Sequence, residues 1–159
     1  MQIRFLVFFL FVSFAATAQV DRDTVVSRCP VFITDTLTSN NFFLEQQPAT
    51  IRVYRKKGDI VIAVQQREQF FTLFFNDKKL KDGTTYKIAV GSDRKTHVEA
   101  KYSFRSGGTA SYVNVSNGTV EVKFDKEKGH WHIKLNGMLR NLVERNITYY
   151  RVRTNFYIR

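Results

Sequence analysis

Residues Gly118–Gly137, GTVEVKFDKEKGHWHIKLNG, decide how the rest of the chain is read. Val120, Val122 and Phe124 alternate with Thr119, Glu121 and Lys123. After a polar turn over Asp125–Gly129, Trp131, Ile133 and Leu135 alternate with His130, His132, Lys134 and Asn136. A period of two sends successive side chains to opposite faces of a strand, so each half is a strand with one dry and one wet face. The charged turn, ending in Gly129, lets the chain reverse without burying polar backbone. Setting Phe124 opposite Trp131 puts Val122 against Ile133 and Val120 against Leu135 on the dry face. The same register puts Glu121 against Lys134, a favourable cross-strand pair, and Lys123 against His132 on the wet face. A slip of one residue would set Val122 against His132 and mix the faces. The stretch predicts a half-buried hairpin forming one wall of a sandwich or barrel.

Similar segments lie on both sides. Upstream, Val31–Leu37, Thr50–Arg55, Asp59–Gln65, Thr84–Val90, His97–Phe104 and Ala110–Val115 read as strands, with Lys56-Lys57-Gly58 as a hairpin turn and Asn76–Gly83 as a basic loop. In His97–Phe104, Val98, Ala100, Tyr102 and Phe104 point inward by alternation. Phe70–Phe75, FFTLFF, fits a strand buried on both faces but also one stripe of a short helix, and context favours the strand. Downstream, a polar loop runs from Met138-Leu139 through Asn146, and Ile147–Arg159 forms a long last strand. Turns at roughly ten-residue spacing, with no long helical period, predict an all-β fold: an antiparallel β-sandwich or small barrel of about 8–10 strands.

The first 18 residues have the pattern of a signal peptide: Arg4, the apolar run Phe5–Phe14, and the small-x-small triplet Ala16-Thr17-Ala18. The apolar run is shorter than the roughly 20 residues of a spanning helix, which favours cleavage over anchoring. Cleavage would leave Gln19–Arg159, 141 residues, with residues 19–30 as a flexible N-terminal arm and residues 31–159 as a single β-sandwich domain. The chain would then have no transmembrane segment and would be exported, periplasmic or secreted. The full sequence has 25 Lys and Arg against 14 Asp and Glu, a net charge of +11. Such an excess attracts anionic partners and also keeps a β-rich surface soluble. The single cysteine, Cys29, excludes an intramolecular disulfide, so the domain must stand on its core. Cys29 also lies too far beyond the apolar run to be an acylated lipoprotein cysteine.

GTVEVKFDKEKGHWHIKLNGMLRN, followed by a loop and a strand ending TNFYIR, resembles small exported β-sandwich domains of uncharacterised function from Gram-negative bacteria. The likeness covers about the last third of the chain. It implies a fold and export, and no activity or site residues.

His130-x-His132 places two imidazoles on one side of a strand, and His97 is a third candidate metal ligand. Lys123, expected opposite His132, opposes a bound dication. No Gly-x-Ser-x-Gly elbow, phosphate-cradling glycine loop or activated-thiolate setting is present, so no catalytic residues and no cofactor are assigned. In the last strand Tyr149, Arg151, Arg153, Asn155, Tyr157 and Arg159 share one face, and Tyr150, Val152, Phe156 and Ile158 the other. A face of tyrosines and arginines suits an anion or a sugar through stacking and bidentate contacts. The alternative for such a face is a solvated surface whose stems and rings cover apolar area. Arg52 and Tyr54 repeat the type on another strand. Asn114, Asn117 and Asn146 begin formal glycosylation sequons. The function expected is a non-enzymatic binding or structural module at the cell envelope with an anionic or carbohydrate partner; nucleic acid is not expected. The alternatives are a barrel whose interior, lined by Phe70–Phe75, holds a small apolar ligand, and a metal-dependent hydrolase using His130, His132 and His97.

Overall fold

The central hairpin forms in the register its alternation dictates. In the computed structural model, which describes residues 22–37, 43, 46–143 and 146–159, Phe124 pairs with Trp131, Val122 with Ile133, Val120 with Leu135, Glu121 with Lys134 and Lys123 with His132. The rings of Phe124 and Trp131 lie 4.9 Å apart, and Lys134 Nζ sits 3.4 Å from Glu121 Oε2.

The described residues are organised as one ten-stranded sheet. Its strands are β1 (Arg22–Val26), β2 (Val31–Asp35), β3 (Ala49–Lys56), β4 (Asp59–Gln66), β5 (Gln69–Phe75), β6 (Thr84–Ile88), β7 (His97–Ser106), β8 (Thr109–Asp125), β9 (His130–Val143) and β10 (Asn146–Ile158). The spatial order is β1-β3-β4-β5-β7-β6-β8-β9-β10-β2. The fold is all-β, as the turn spacing implies. The sheet is mixed rather than purely antiparallel: β6 runs parallel to β7 through Lys87–His97 and Ile88–Val98. This follows from a fork. The first half of β8 pairs with β7, the second half pairs with β6, and β6 fills the gap where β7 and β8 diverge. A β-bulge in β8 between Val115 and Asn117 marks the point of divergence.

The two edge strands show that the sheet is rolled. Laid flat, ten strands would separate β1 from β2 by about 43 Å. Only Ser27–Pro30 join them, which limits Val26 and Val31 to a separation of about 19 Å. The sheet therefore curls until its edges approach, and Cys29 N donates to Gln47 O at 3.0 Å across the seam. The enclosed face carries one continuous core contributed by β2 to β10, with Val26 of β1 packed against it. Ile33, Ile51, Ile62, Phe71, Leu73, Phe75, Tyr86, Ile133, Leu135 and Leu139 are all fully buried there.

Several local expectations are corrected. Arg22–Val26, assigned to a flexible arm, pairs with β3 from Arg22–Val53 to Val26–Ala49. Cys29, in the same arm, belongs to the core. Ala110–Val115 and the first half of the central hairpin run on as one 17-residue strand, with the irregularity between them absorbed by the bulge. The polar segment after Leu139 continues β9 to Val143 and pairs with β10 instead of looping; pairing to a neighbour overrides its poor strand propensity. Phe70–Phe75 is the strand that context favours: Phe71, Leu73 and Phe75 point into the core, while Phe70 and Phe74 sit half-buried on the outer face. Lys56 and Lys101 each hold Nζ 5.5 Å from the centroid of the Phe74 ring, which screens that outer apolar surface. The expected signal peptide lies outside the described residues.

Candidate functional site: a basic groove across β9, β10 and β2

Along β10 the chain alternates without interruption from Arg151 to Arg159. Val152, Thr154, Phe156 and Ile158 are buried, and Arg151, Arg153, Asn155, Tyr157 and Arg159 are exposed. Antiparallel neighbours set this outer row between two others. Arg153 lies between Asn136 of β9 and Phe32 of β2, and Arg151 between Met138 and Thr34. One residue pair along, Asn155 faces Lys134. Beyond the end of β2, Thr36 is held to Tyr149 O by its backbone N–H at 3.2 Å and its Oγ1 at 3.0 Å.

These rows enclose a half-open groove of about 640 Å³. Arg151, Arg153 and Lys134 supply its positive charge, Asn136, Asn155, Thr34 and Thr36 its neutral hydrogen-bonding groups, and Phe32 its apolar patch. Asp35 lines one end, and its Oδ1 accepts the Leu37 N–H at 2.7 Å. Lys134 is partnered by Glu121. Among the described residues neither Arg151 nor Arg153 has an acidic partner. Two guanidiniums on one strand face are separated by about 7 Å of backbone, the rise of two strand residues. Each presents a planar fork of donors suited to a carboxylate, sulfate or phosphate.

Tyr149 and Tyr157, 47% and 51% exposed, share the outer row just outside the groove at its two ends. The ring of Tyr157 stacks on His132 at 4.7 Å and 18°. Four of the six residues singled out by type on two strands, Tyr149, Arg151, Arg153 and Tyr157, are therefore brought together, and two are not. Arg52 pairs with Asp23 at 3.1 Å and lines a separate hollow of about 210 Å³ with Val25 and Gln65. Tyr54 stands opposite Val61 on the outer face of β3 and β4. Phe32, Thr34 and Lys134 were missed as site residues. For Phe32 and Thr34 the signal is the pairing of β2 with β10, a contact between residues more than a hundred positions apart, and for Lys134 it is the register of β9 against β10, which sets it opposite Asn155.

The histidines are occupied by neighbours. His130 Nε2 accepts from Arg159 Nε at 2.7 Å, His132 Nε2 is hydrogen-bonded to Asn155 Oδ1, and His97 Nδ1 lies 2.7 Å from Ser92 Oγ. His97 on β7 is three strand spacings from β9, about 14 Å along the sheet, so the three imidazoles do not share one ion. No group of three or more His, Cys, Asp or Glu among the described residues could hold a metal.

Cys29 is 2% exposed, and burial pushes its thiol pKa up, against a smaller lowering by a hydrogen bond to the Val31 backbone. The folded protein should therefore leave Cys29 unlabelled by a neutral thiol reagent for as long as it stays folded, and label it stoichiometrically in guanidinium. Rapid labelling without denaturant would contradict its place in the core.

No family model, no curated protein and no solved structure matches the chain.

Proposed function

We propose that this chain is an exported, non-enzymatic β module whose basic groove binds an anionic or carbohydrate component of the cell envelope. The observation that carries the proposal is the pair of exposed guanidiniums, Arg151 and Arg153, side by side in a groove of about 640 Å³ and without acidic partners among the described residues. A charge left unpaired on a rigid strand next to neutral donors and acceptors is available to a ligand without breaking an internal contact. The N-terminal leader pattern supports export, and a net charge of +11 supports attraction to an anionic surface. The engagement of each histidine by a neighbour favours binding over catalysis. Phe71, Leu73 and Phe75 pack among other core residues, which favours an outer site over an apolar ligand held in the interior.

The test is retention on an immobilised acidic polysaccharide at low ionic strength. The Arg151→Ala/Arg153→Ala double variant should bind about tenfold or more weakly than the parent, the loss expected for two charge-assisted contacts. Arg52→Ala should bind within about twofold of it, since Arg52 is already neutralised by Asp23. Equal retention of parent and double variant would sink the proposal.

A further inference from the structure

Resting on the groove as an anion site, we infer that its ligand is a linear acidic glycan lying lengthwise along β10, and not a compact phosphate or a lipid headgroup. Three features separate these chemistries. The first is the lining: amides and hydroxyls of Asn136, Asn155, Thr34 and Thr36 alternate with the cations, and the carboxylate of Asp35 lies at one end. A site for bare phosphate excludes a carboxylate, whereas a sugar ring brings hydroxyls that donate to one and both donate to and accept from the others. The second is the shape. The groove is open and follows the strand, an extended track between β9, β10 and β2 rather than a closed pocket around one compact group.

The third is the pair of tyrosines. Tyr149 and Tyr157 stand on the same outer row, eight residues apart, hence about 27 Å from one to the other, with both arginines between them. Both rings are about half exposed, and Tyr157 is held in orientation by its stack on His132. Exposed rings are platforms for the apolar faces of sugars, and no single compact anion at the arginines spans the roughly 27 Å that separates the two. Repeated carboxylates on a sugar chain would meet Arg151 and Arg153 in turn, while rings further along would reach the tyrosines. The recognition element is thus the sequence Tyr-x-Arg-x-Arg-x-Asn-x-Tyr over residues 149–157, displayed at a period of two by one strand.

The probes are di-, hexa- and decagalacturonate, with galacturonic acid and inorganic phosphate as compact controls, titrated calorimetrically into the protein at low salt. Affinity should rise about tenfold or more from the dimer to the decamer, because additional rings engage additional platforms tethered to the first. Tyr149→Ala/Tyr157→Ala should remove most of that gain, weakening binding of the decamer about tenfold more than binding of the dimer. Inorganic phosphate or galacturonic acid binding as tightly as the decamer would leave the basic groove as an anion site but overturn the lengthwise ligand. A length gain that persists in the double tyrosine variant would also overturn it. Failure of every probe to bind would remove the groove and this inference together.

Discussion

Gly118→Ala should destabilise the fold by about 3 kcal/mol or more, a fall in Tm of roughly 10 °C for a domain of this size. Gly118 and Gly137 face each other across the β8–β9 ladder, beside the bulge at Val115–Asn117. Gly118 has φ +137°, a conformation that L side chains rarely adopt. A Cβ there would lie 2.3 Å from Asn136 O and 2.5 Å from the Gly137 Cα. Both obstacles are backbone, so relief requires the strands to separate at the place where β8 changes partner from β7 to β6. Gly137 is confined as well, since its added Cβ would meet Val115 Cγ1 at 2.8 Å and Asn117 O at 2.9 Å. Gly108→Ala is the control: a Cβ there meets nothing within 4 Å, and the expected change is within about 0.5 kcal/mol. Urea titrations of the two variants decide the matter, and equal midpoints would show that the close approach of β8 and β9 does not hold.

Phe75→Ala should cost about 3–5 kcal/mol, the range for emptying a phenylalanine site in a packed core. Phe75 is 1% exposed and meets Tyr86 edge to face, at 5.0 Å between centroids and 85° between planes. Tyr86 is itself fully buried, with its hydroxyl accepting the Lys81 N–H at 3.3 Å, so it is not free to swing into the vacated space. Phe74→Ala, one residue away, removes a half-buried ring that Lys56 and Lys101 cover from outside, and about 1–2 kcal/mol is expected. The contrast distinguishes a strand from a short helix. On a helix Phe71, Phe74 and Phe75 would share one face and cost alike, whereas a strand separates Phe74 from its neighbours. Equal losses for the two variants would contradict the structure of β5.

The contrast between what was legible and what was not follows the range of the interactions. The register of the β8–β9 hairpin was legible to the residue because its two halves are joined by a short turn and each carries an unbroken period of two. The outer and inner faces of β10 and β7 were legible for the same reason. Strand pairing between distant segments was not. Nothing local in Arg22–Val26 announces that it completes a sheet with β3, and its polarity resembles that of an unstructured arm. The segment after Leu139 looks like a loop because its strand character comes from β10 rather than from its own residues. The site divides along the same line. Arg151, Arg153, Tyr149 and Tyr157 were visible as one row, but the second wall of the groove, Phe32 and Thr34, depends on β2 crossing the seam to reach β10. Arg52 and Tyr54 resemble the row in composition only, and residue type says nothing about which strands become neighbours.

The most direct test of the groove as the binding surface is a pair of 1H–15N correlation spectra of the protein, without and with decagalacturonate at low salt. Shifts should concentrate on the backbone amides of Thr34, Asn136, Arg151, Arg153 and Asn155 and on the Nε–H signals of the two arginines. Resonances of Arg52, Tyr54 and β5 should stay in place. Shifts centred on the outer face of β3 to β5, or spread evenly over the lysines of the whole surface, would contradict the assignment of binding to the groove between β9, β10 and β2.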